Sequence, residues 1–199
     1  MNLIQRTILL AINIIIILPL LCPGQWYQGP SGGRGGDVFD FWTASNQNLN
    51  ISFVSLLEDN FVGDPDDRSN RVILCIRVGY QNGAVYKYGG HCDETGPRAG
   101  LIGQGFYGDW TGFSLRRGEY LIGVSGRFGD SIDSLKFYTT QASYSYGDNG
   151  GNRDFGYTAP SGQRIIALFG RAGTRLDAIG VMYGTIPQNP RVPVVRPSH

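Results

Sequence analysis

A glycine and an aspartate separated by three residues stand near the end of the chain, at residues 173–177 (GTRLD). An ionised carboxylate accepts hydrogen bonds, and the backbone N–H groups of a tight loop donate them. The neighbouring hydroxyl groups of a hexose need both kinds of partner. Because glycine has no Cβ and tolerates positive φ, Gly173 lets the backbone approach a ligand closely. The segment therefore predicts a sugar-binding loop, and an ordinary turn capped by Asp177 is the alternative.

A second glycine loop lies near the start of the chain, at residues 32–36 (GGRGG). Two Gly-Gly pairs flank Arg34, and an aromatic residue and an acid follow at residues 37–40 (DVFD). The two loops form one site only if the fold brings the ends of the chain together.

The elements that must position these loops are β-strands. No segment has the i, i+3, i+4, i+7 apolar stripe of a helix over ten or more residues, whereas short β-rich runs recur between turn signals. The 30 glycines, 11 tyrosines and 10 phenylalanines also favour strands and tight turns. The chain is therefore predicted to be a single all-β domain, closed or layered. The predicted strands are residues 50–57, 71–80, 84–88, 111–115, 119–128, 131–140, 164–169 and 177–183.

The N-terminus is typical of a secretory signal peptide, with Arg6 before an apolar run at residues 8–21. We expect residues 1–24 to be removed and the mature protein to be extracellular or stored in a secretory granule. A retained membrane anchor is the alternative, although the run is shorter than the ~20 residues that a span needs. Without Arg6 the 17 basic residues become 16, which balance the 16 acidic ones. A net charge of zero disfavours non-specific binding to nucleic acid.

Both glycine loops, together with three internal segments, resemble the jacalin-related lectins. That family opens with a Gly-Gly-x-Gly-Gly loop and closes with Gly-x-x-x-Asp before a strand. The resemblance covers residues 29–186, and a secretory signal before one such domain is most similar to the animal zymogen-granule lectin branch. It implies a β-prism I fold, in which three four-stranded antiparallel sheets surround a pseudo-threefold axis. The internal segments are Gly89-Gly90, residues 119–126 and residues 132–140.

The resemblance implies a site for mannose- or glucose-type units that needs no metal ion or other cofactor. Backbone N–H groups would donate to the sugar, and Asp177 would accept from two hydroxyls. Galactose-binding members carry a proteolytic cut beside the equivalent of Gly36, whereas this chain is continuous there, which favours mannose or glucose. The implied carbohydrate-binding residues are Gly36, Thr174, Arg175 and Asp177, with Gly35 and Gly173 shaping the loops.

Further residues could extend this site. Arg34 and Arg171 would contact sulfated or otherwise anionic glycans, and solvated arginines paired with Asp37 or Asp154 are the alternative. The glycine-rich loop at residues 144–151 would supply a secondary subsite through Tyr146 and Asp148. Tyrosines that only cover the edge of the core are the alternative there.

Cys75 and Cys92 are the cysteines that remain after the signal peptide. A two-residue hairpin turn at residues 81–84 (QNGA) would place Cys75 opposite Gly90, with Cys92 diagonally adjacent. An oxidising compartment would then join the two thiols, and two buried thiols are the alternative. Asn50 begins an N-glycosylation sequon.

Two segments fall outside this pattern. Residues 58–70 contain four aspartates, which leaves a calcium site open, although a solvated acidic hairpin tip fits the spacing better. Residues 187–199 contain four prolines and are predicted to form a disordered or extended tail after a lectin domain at residues 25–186.

An enzyme is disfavoured, because glycoside hydrolysis needs two carboxylates beside the scissile bond and only Asp177 is placed there by a motif. The predicted partners are glycans and glycoproteins, and a homo-oligomer stays open. A β-prism that has lost sugar binding is the remaining alternative.

Overall fold

The computed structural model of the chain describes residues 26–40, 48–60, 71–90, 92, 98–99, 105–106 and 110–187. The predicted signal peptide, the predicted tail beyond residue 187 and most of the acidic segment 58–70 lie outside the described residues.

The described part of the chain is built from β-strands, which confirms the predicted all-β class. In chain order they are β1 (Trp26–Gly32), β2 (Asp37–Asp40), β3 (Ile51–Asn60), β4 (Arg71–Tyr80), β5 (Val85–Gly89), β6 (Arg98–Ala99), β7 (Gly105–Phe106), β8 (Trp110–Ser114), β9 (Leu121–Phe128), β10 (Ile132–Thr139), β11 (Ser143–Gly147), β12 (Arg153–Thr158), β13 (Gln163–Ala172) and β14 (Leu176–Thr185).

Twelve of these strands form three four-stranded antiparallel sheets, as expected for a β-prism. The sheets have the orders β1-β14-β13-β2, β11-β10-β9-β12 and β5-β4-β3-β8, and β6 pairs only with β7. Each sheet has a central hairpin flanked by one strand on either side. In the first sheet the hairpin comes from the end of the chain and the flanking strands from its beginning. This arrangement brings the two glycine loops to one edge.

One apolar core joins the three sheets, because alternate residues of each central strand point inward. In β14, Ile179, Val181 and Tyr183 are almost fully buried, and they belong to the same cluster as Val54 of β3 and Leu135 of β10. Asp177 continues the parity of these β14 residues at the end of the strand. The core therefore fixes the position of the strand end that carries the aspartate.

The turn after β4 differs from the predicted two-residue hairpin. Gly79 pairs with Val85, and the Tyr80 N–H donates to the Ala84 carbonyl at 2.9 Å, so the turn contains three residues. Gly83 takes a φ of +88°, the left-handed conformation that closes such a turn. Cys75 consequently lies opposite Gly89 rather than Gly90.

Candidate functional site

The two glycine loops meet at one end of the first sheet. Gly32 at the end of β1 pairs with Ala178 of β14, and Asp37 at the start of β2 pairs with Ala172 of β13. The loop between β1 and β2 must therefore lie against the loop between β13 and β14. We call the group formed by Gly35, Gly36, Gly173 and Asp177 the Asp177 site.

Backbone hydrogen bonds hold each loop in place. The Gly33 N–H donates to the Asp177 carbonyl at 2.8 Å, and the Gly173 N–H donates to the Arg175 carbonyl at 2.9 Å. The first bond ties the N-terminal loop to the strand end that carries the carboxylate. The second closes the tight turn before β14.

Glycine is required where the first loop passes over the carboxylate. A Cβ at Gly35 would lie 2.7 Å from Asp177 Oδ1, closer than carbon and oxygen approach without a bond. Gly36 has a φ of +58°, and a Cβ there would collide with the backbone of Ala172 and Gly173. Gly35 and Gly36 thus shape the site.

Arg171 holds the same loop from the side. Its Nε donates to the Gly35 carbonyl at 2.8 Å, and one terminal nitrogen donates to the Gly36 carbonyl at 2.5 Å. These two bonds fix the peptide units beside Asp177. The sequence gives no signal for this role, and contact between Arg171 and an anionic glycan stays a prediction.

The carboxylate of Asp177 is half-buried, and its Oδ2 is buried without a hydrogen-bond partner among the described residues. Burial raises the pKa of Asp177, while the Gly173 amide, Arg171 and Arg175 act in the opposite direction. A buried acceptor with no partner is costly, so the protein holds this carboxylate at the expense of stability.

The remaining predicted site residues lie in the two loops that meet at this carboxylate. Thr174 and Arg34 are exposed and Arg175 is half-buried. Gly90, at the end of β5, packs on Thr174, where a Cβ would lie 2.5 Å from the Thr174 Cα. A loop of the third sheet thus supports the turn that precedes Asp177.

The predicted secondary subsite lies on the second sheet. The Tyr146 ring packs with Phe113 and Phe137 at centroid distances of 6.4 and 6.2 Å, and burial raises the pKa of Tyr146 to about 12. The Asp148 N–H donates to the Asp133 carbonyl at 3.1 Å. Tyr146 therefore covers the edge of the core, whereas Asp148 belongs to a loop that faces Asp133. Their binding of a sugar stays a prediction.

Cys75 and Cys92 form a disulfide with a Cα–Cα distance of 5.6 Å, which confirms the predicted pairing. The Asn50 side-chain amide donates to Gln81 at 2.9 Å, and its glycosylation stays a prediction.

Within the described residues, no group of three or more His, Cys, Asp or Glu side chains is placed to hold a metal ion. Residues 61–70, which make up most of the acidic segment 58–70 and of its possible calcium site, lie outside that part of the chain. The same part contains no helix of sufficient length and apolar character to span a membrane.

Comparison with known proteins identifies the domain. Residues 28–182 match the Jacalin-like lectin domain, which is more than half of the chain. The chain belongs to the jacalin-like lectin family. That family is one of lectins, and the three antiparallel sheets are those of the β-prism I fold.

A curated relative supports the same assignment. This lectin is 38% identical over 176 residues to an agglutinin of Castanea crenata, an alignment that covers 82% of this chain and 48% of the relative. The chain thus spans about half the length of that relative.

Two solved structures share the fold. The agglutinin of Calystegia sepium aligns with a TM-score of 0.61 at 21% identity, covering 82% of this lectin and 99% of that chain. AcmJRL from Ananas comosus, described as a mannose-binding jacalin-related lectin, aligns with a TM-score of 0.57 at 21% identity, covering 82% and 99%.

Proposed function

We propose that this lectin binds mannose- or glucose-type units of glycans at the Asp177 site, by hydrogen bonds and without a metal ion. The observation that carries the proposal is the half-buried carboxylate whose Oδ2 has no partner among the described residues, beside two loops that only glycine permits. In this account Asp177 accepts from two sugar hydroxyls, and the N–H groups of Gly36, Thr174 and Arg175 donate to the sugar.

The chemistry of the site favours weak and selective binding. Hydrogen bonds to an ionised carboxylate are about twice as strong as neutral ones, and partial burial strengthens them further. A single shallow site nevertheless buries little area, so we expect a monosaccharide Kd of about 1 mM. Repeated presentation on a branched glycan or a glycoprotein would raise the effective affinity.

Two features favour mannose or glucose over galactose. The chain runs without a break through residues 32–36, where galactose-binding members of the family are cut. AcmJRL, which shares the fold, is described as mannose-binding.

The charges around Asp177 support a second candidate ligand, a sulfated or otherwise anionic glycan. Arg34 is exposed in the first loop, and Arg171 and Arg175 act on the Asp177 carboxylate. An anionic substituent on the bound sugar would meet these positive charges. Binding of this kind depends on salt concentration, which separates it from neutral recognition.

Secretion is part of the same proposal. The disulfide Cys75–Cys92 suits an oxidising compartment, as does the sequence at residues 1–24. Assignment to the zymogen-granule branch, glycosylation at Asn50 and a homo-oligomer are further expectations of this proposal.

A glycan array tests the ligand class, using the mature protein with and without a chelator and at two salt concentrations. We expect signals on glycans with terminal mannose or glucose, unchanged by the chelator, and salt-sensitive signals only on anionic glycans. Silence across the array would favour a β-prism that has lost sugar binding, and loss of all signals with chelator would contradict the metal-free mechanism.

A further inference from the structure

We infer that the chain carries a second site for an uncharged hexose, built around Asp133 on the second sheet. This inference rests on the proposed sugar binding at the Asp177 site, because it extends the same chemistry to a second copy of the same loops. We call the group formed by Gly129, Asp133, Gly150 and Gly151 the Asp133 site.

The sequence spacing of the Asp177 site recurs in the second sheet. Residues 129–133 (GDSID) repeat the Gly-x-x-x-Asp spacing of residues 173–177. Residues 147–151 (GDNGG) repeat residues 32–36 (GGRGG), with glycine at the first, fourth and fifth positions of both. Each Gly-x-x-x-Asp segment joins the two central strands of its sheet, and each glycine loop joins the two outer strands.

The hydrogen bonds of the Asp177 site recur in the same positions. The Gly129 N–H donates to the Ser131 carbonyl at 3.0 Å, as Gly173 donates to Arg175. The Asp148 N–H donates to the Asp133 carbonyl at 3.1 Å, as Gly33 donates to Asp177.

An arginine braces the second glycine loop as well. Arg127 stands two residues before Gly129, and its terminal nitrogen donates to the Gly151 carbonyl at 3.0 Å. Arg171 stands two residues before Gly173 and binds the Gly36 carbonyl in the same way. The support of the loop is therefore conserved between the two sheets of this one molecule.

The carboxylate of Asp133 occupies a cradle that side chains would fill. A Cβ at Gly150 would lie 2.9 Å from Asp133 Oδ1, and a Cβ at Gly151 would lie 2.7 Å from Oδ2. The Oδ2 atom is buried and has no hydrogen-bond partner among the described residues, as in Asp177. Burial is also the largest effect on the pKa of Asp133 and raises it, whereas the Gly129 amide, Arg175 and Arg127 lower it.

The third sheet shows what the same frame looks like without a site. In the first two sheets the aspartate directly precedes the residue that pairs with the first glycine of the loop, since Gly32 pairs with Ala178 and Gly147 with Ser134. In the third sheet Gly89 pairs with Cys75, so Leu74 occupies the corresponding position. The fourth position of its glycine loop is Cys92, which is bonded to Cys75 and packs with Leu74. An apolar side chain and a disulfide fill this copy. The fold therefore does not require the aspartate and the open glycine loop that the other two sheets contain.

The residues around Asp133 favour an uncharged ligand, because neighbouring acids offset the charges of Arg127 and Arg175 that also act on Asp133. Asp148 and Asn149 replace Gly33 and Arg34 of the first loop, and Asp130 replaces Thr174. These carboxylates disfavour a sulfated or phosphorylated sugar, since like charges repel in a partly buried site. A neutral hexose with neighbouring hydroxyls, such as a terminal mannose or glucose unit, fits the donors and acceptors present.

The two sites are neighbours at one end of the prism. The Gly33 backbone packs directly on the Asp130 carbonyl, so the loop of the Asp177 site touches the turn of the Asp133 site. A branched glycan with two terminal hexoses could therefore engage both loops of one molecule, which raises avidity without any new contact.

Site-resolved NMR tests this inference on the ¹⁵N-labelled mature protein, titrated with methyl α-mannoside and, separately, with methyl α-glucoside. The variants are Asp133→Asn and Asp177→Asn, which keep the side-chain shape, and the matched control is Asp40→Asn at the far end of β2. We expect saturable shifts of the Gly151 and Asp130 amides in the wild type, in Asp177→Asn and in the control. In Asp133→Asn the Kd at these amides should rise about tenfold or more, because the charged acceptor is lost.

The outcomes separate the two claims. Shifts at Gly36 and Thr174 with none at Gly151 and Asp130 would overturn the second site and leave the proposed function intact. Shifts at Gly151 and Asp130 alone would overturn sugar binding at the Asp177 site and support the second site. No saturable shift at either site would overturn both claims. Retained Gly151 shifts in Asp133→Asn would also count against the inference. The spectrum of each variant verifies its fold.

Discussion

Asp177 and Asp133 each keep a carboxylate in a position that costs free energy in the ligand-free protein. Burial raises the pKa of both groups, and one oxygen of each is buried without a partner among the described residues. Stability of the fold does not require these two carboxylates, since the apolar residue Leu74 fills the corresponding place in the third sheet. Local cost of this kind is typical of binding sites.

The raised pKa values predict opposite effects of acid on binding and on stability. In the proposed binding mode sugar hydroxyls donate to the ionised carboxylates. Binding should therefore weaken as the pH falls through their raised pKa values, at higher pH than the 3.8 of an ordinary aspartate. The folded state holds these protons more tightly than the unfolded state. Between the raised pKa and 3.8 the contribution of the two groups to the free energy of unfolding should therefore increase as the pH falls.

Isothermal or NMR titrations with methyl α-mannoside between pH 7 and pH 4, with melting temperatures in parallel, measure both effects. Asp177→Asn should melt no lower than the wild type at pH 7, because it removes a disfavoured charge. An affinity that stayed constant down to pH 4, or a large drop in the melting temperature of the variant, would contradict this account.

Single residues show how far the sequence could specify the site. Asp177, Gly35 and Gly36 could be predicted, because few residue types combine a charged acceptor with close backbone approach. The role of Arg171 could not, since an arginine near an acid looks the same whether it holds loop carbonyls or faces solvent. The predicted strand 131–140 contains Asp133 and gives it no binding role, although the sequence shows its Gly-x-x-x-Asp spacing and the repeated glycine loop.

At the scale of elements, the central strands and the flanking strands β5 and β8 were predictable from the sequence, and the other flanking strands were not. The long apolar runs of β3, β4, β9, β10, β13 and β14 carry the core and stand out as strands. The outer strands β1, β2, β11 and β12 are mostly exposed, short or glycine-rich, and most of β11 falls within the predicted loop 144–151. The register error after β4 has a similar cause, because residues 81–84 are compatible with both a two-residue and a three-residue turn.

The entry to β9 depends on a buried glutamate. Glu119 is 4% exposed and accepts from the Arg116 N–H at 3.0 Å and from the Thr139 hydroxyl at 2.5 Å, and these bonds lower its pKa. We expect Glu119→Leu to lower the free energy of unfolding by about 2 kcal/mol or more, because both donors lose their acceptor. Glu119→Gln keeps one oxygen and should lose less.

Urea denaturation at pH 7 measures these differences. The lowered pKa also predicts that the contribution of Glu119 is present above 4.5 and is lost as the pH falls through the folded-state value. Equal stability of the wild type and Glu119→Leu would show that these bonds contribute nothing.

At the scale of the whole molecule, the three sheets repeat one arrangement with three different outcomes. The first pair of loops, around Asp177, joins strands from the beginning and the end of the domain. The second pair surrounds Asp133 within the second sheet, and the third is filled by Leu74 and the disulfide. The family resemblance could specify the three sheets, whereas the composition alone allowed any closed or layered all-β fold. What no local pattern specifies is that loops about 140 residues apart, 32–36 and 173–177, meet at one edge.

The central claim is that these two loops enclose one sugar through Asp177. Its most direct test is the titration of methyl α-mannoside followed at the backbone amides of Gly36 and Thr174, in the wild type and in Asp177→Asn. The account predicts that both amides of the wild type shift with a single Kd of about 1 mM and that neither shifts in the variant. Different dissociation constants at the two amides, or unchanged shifts in Asp177→Asn, would contradict it.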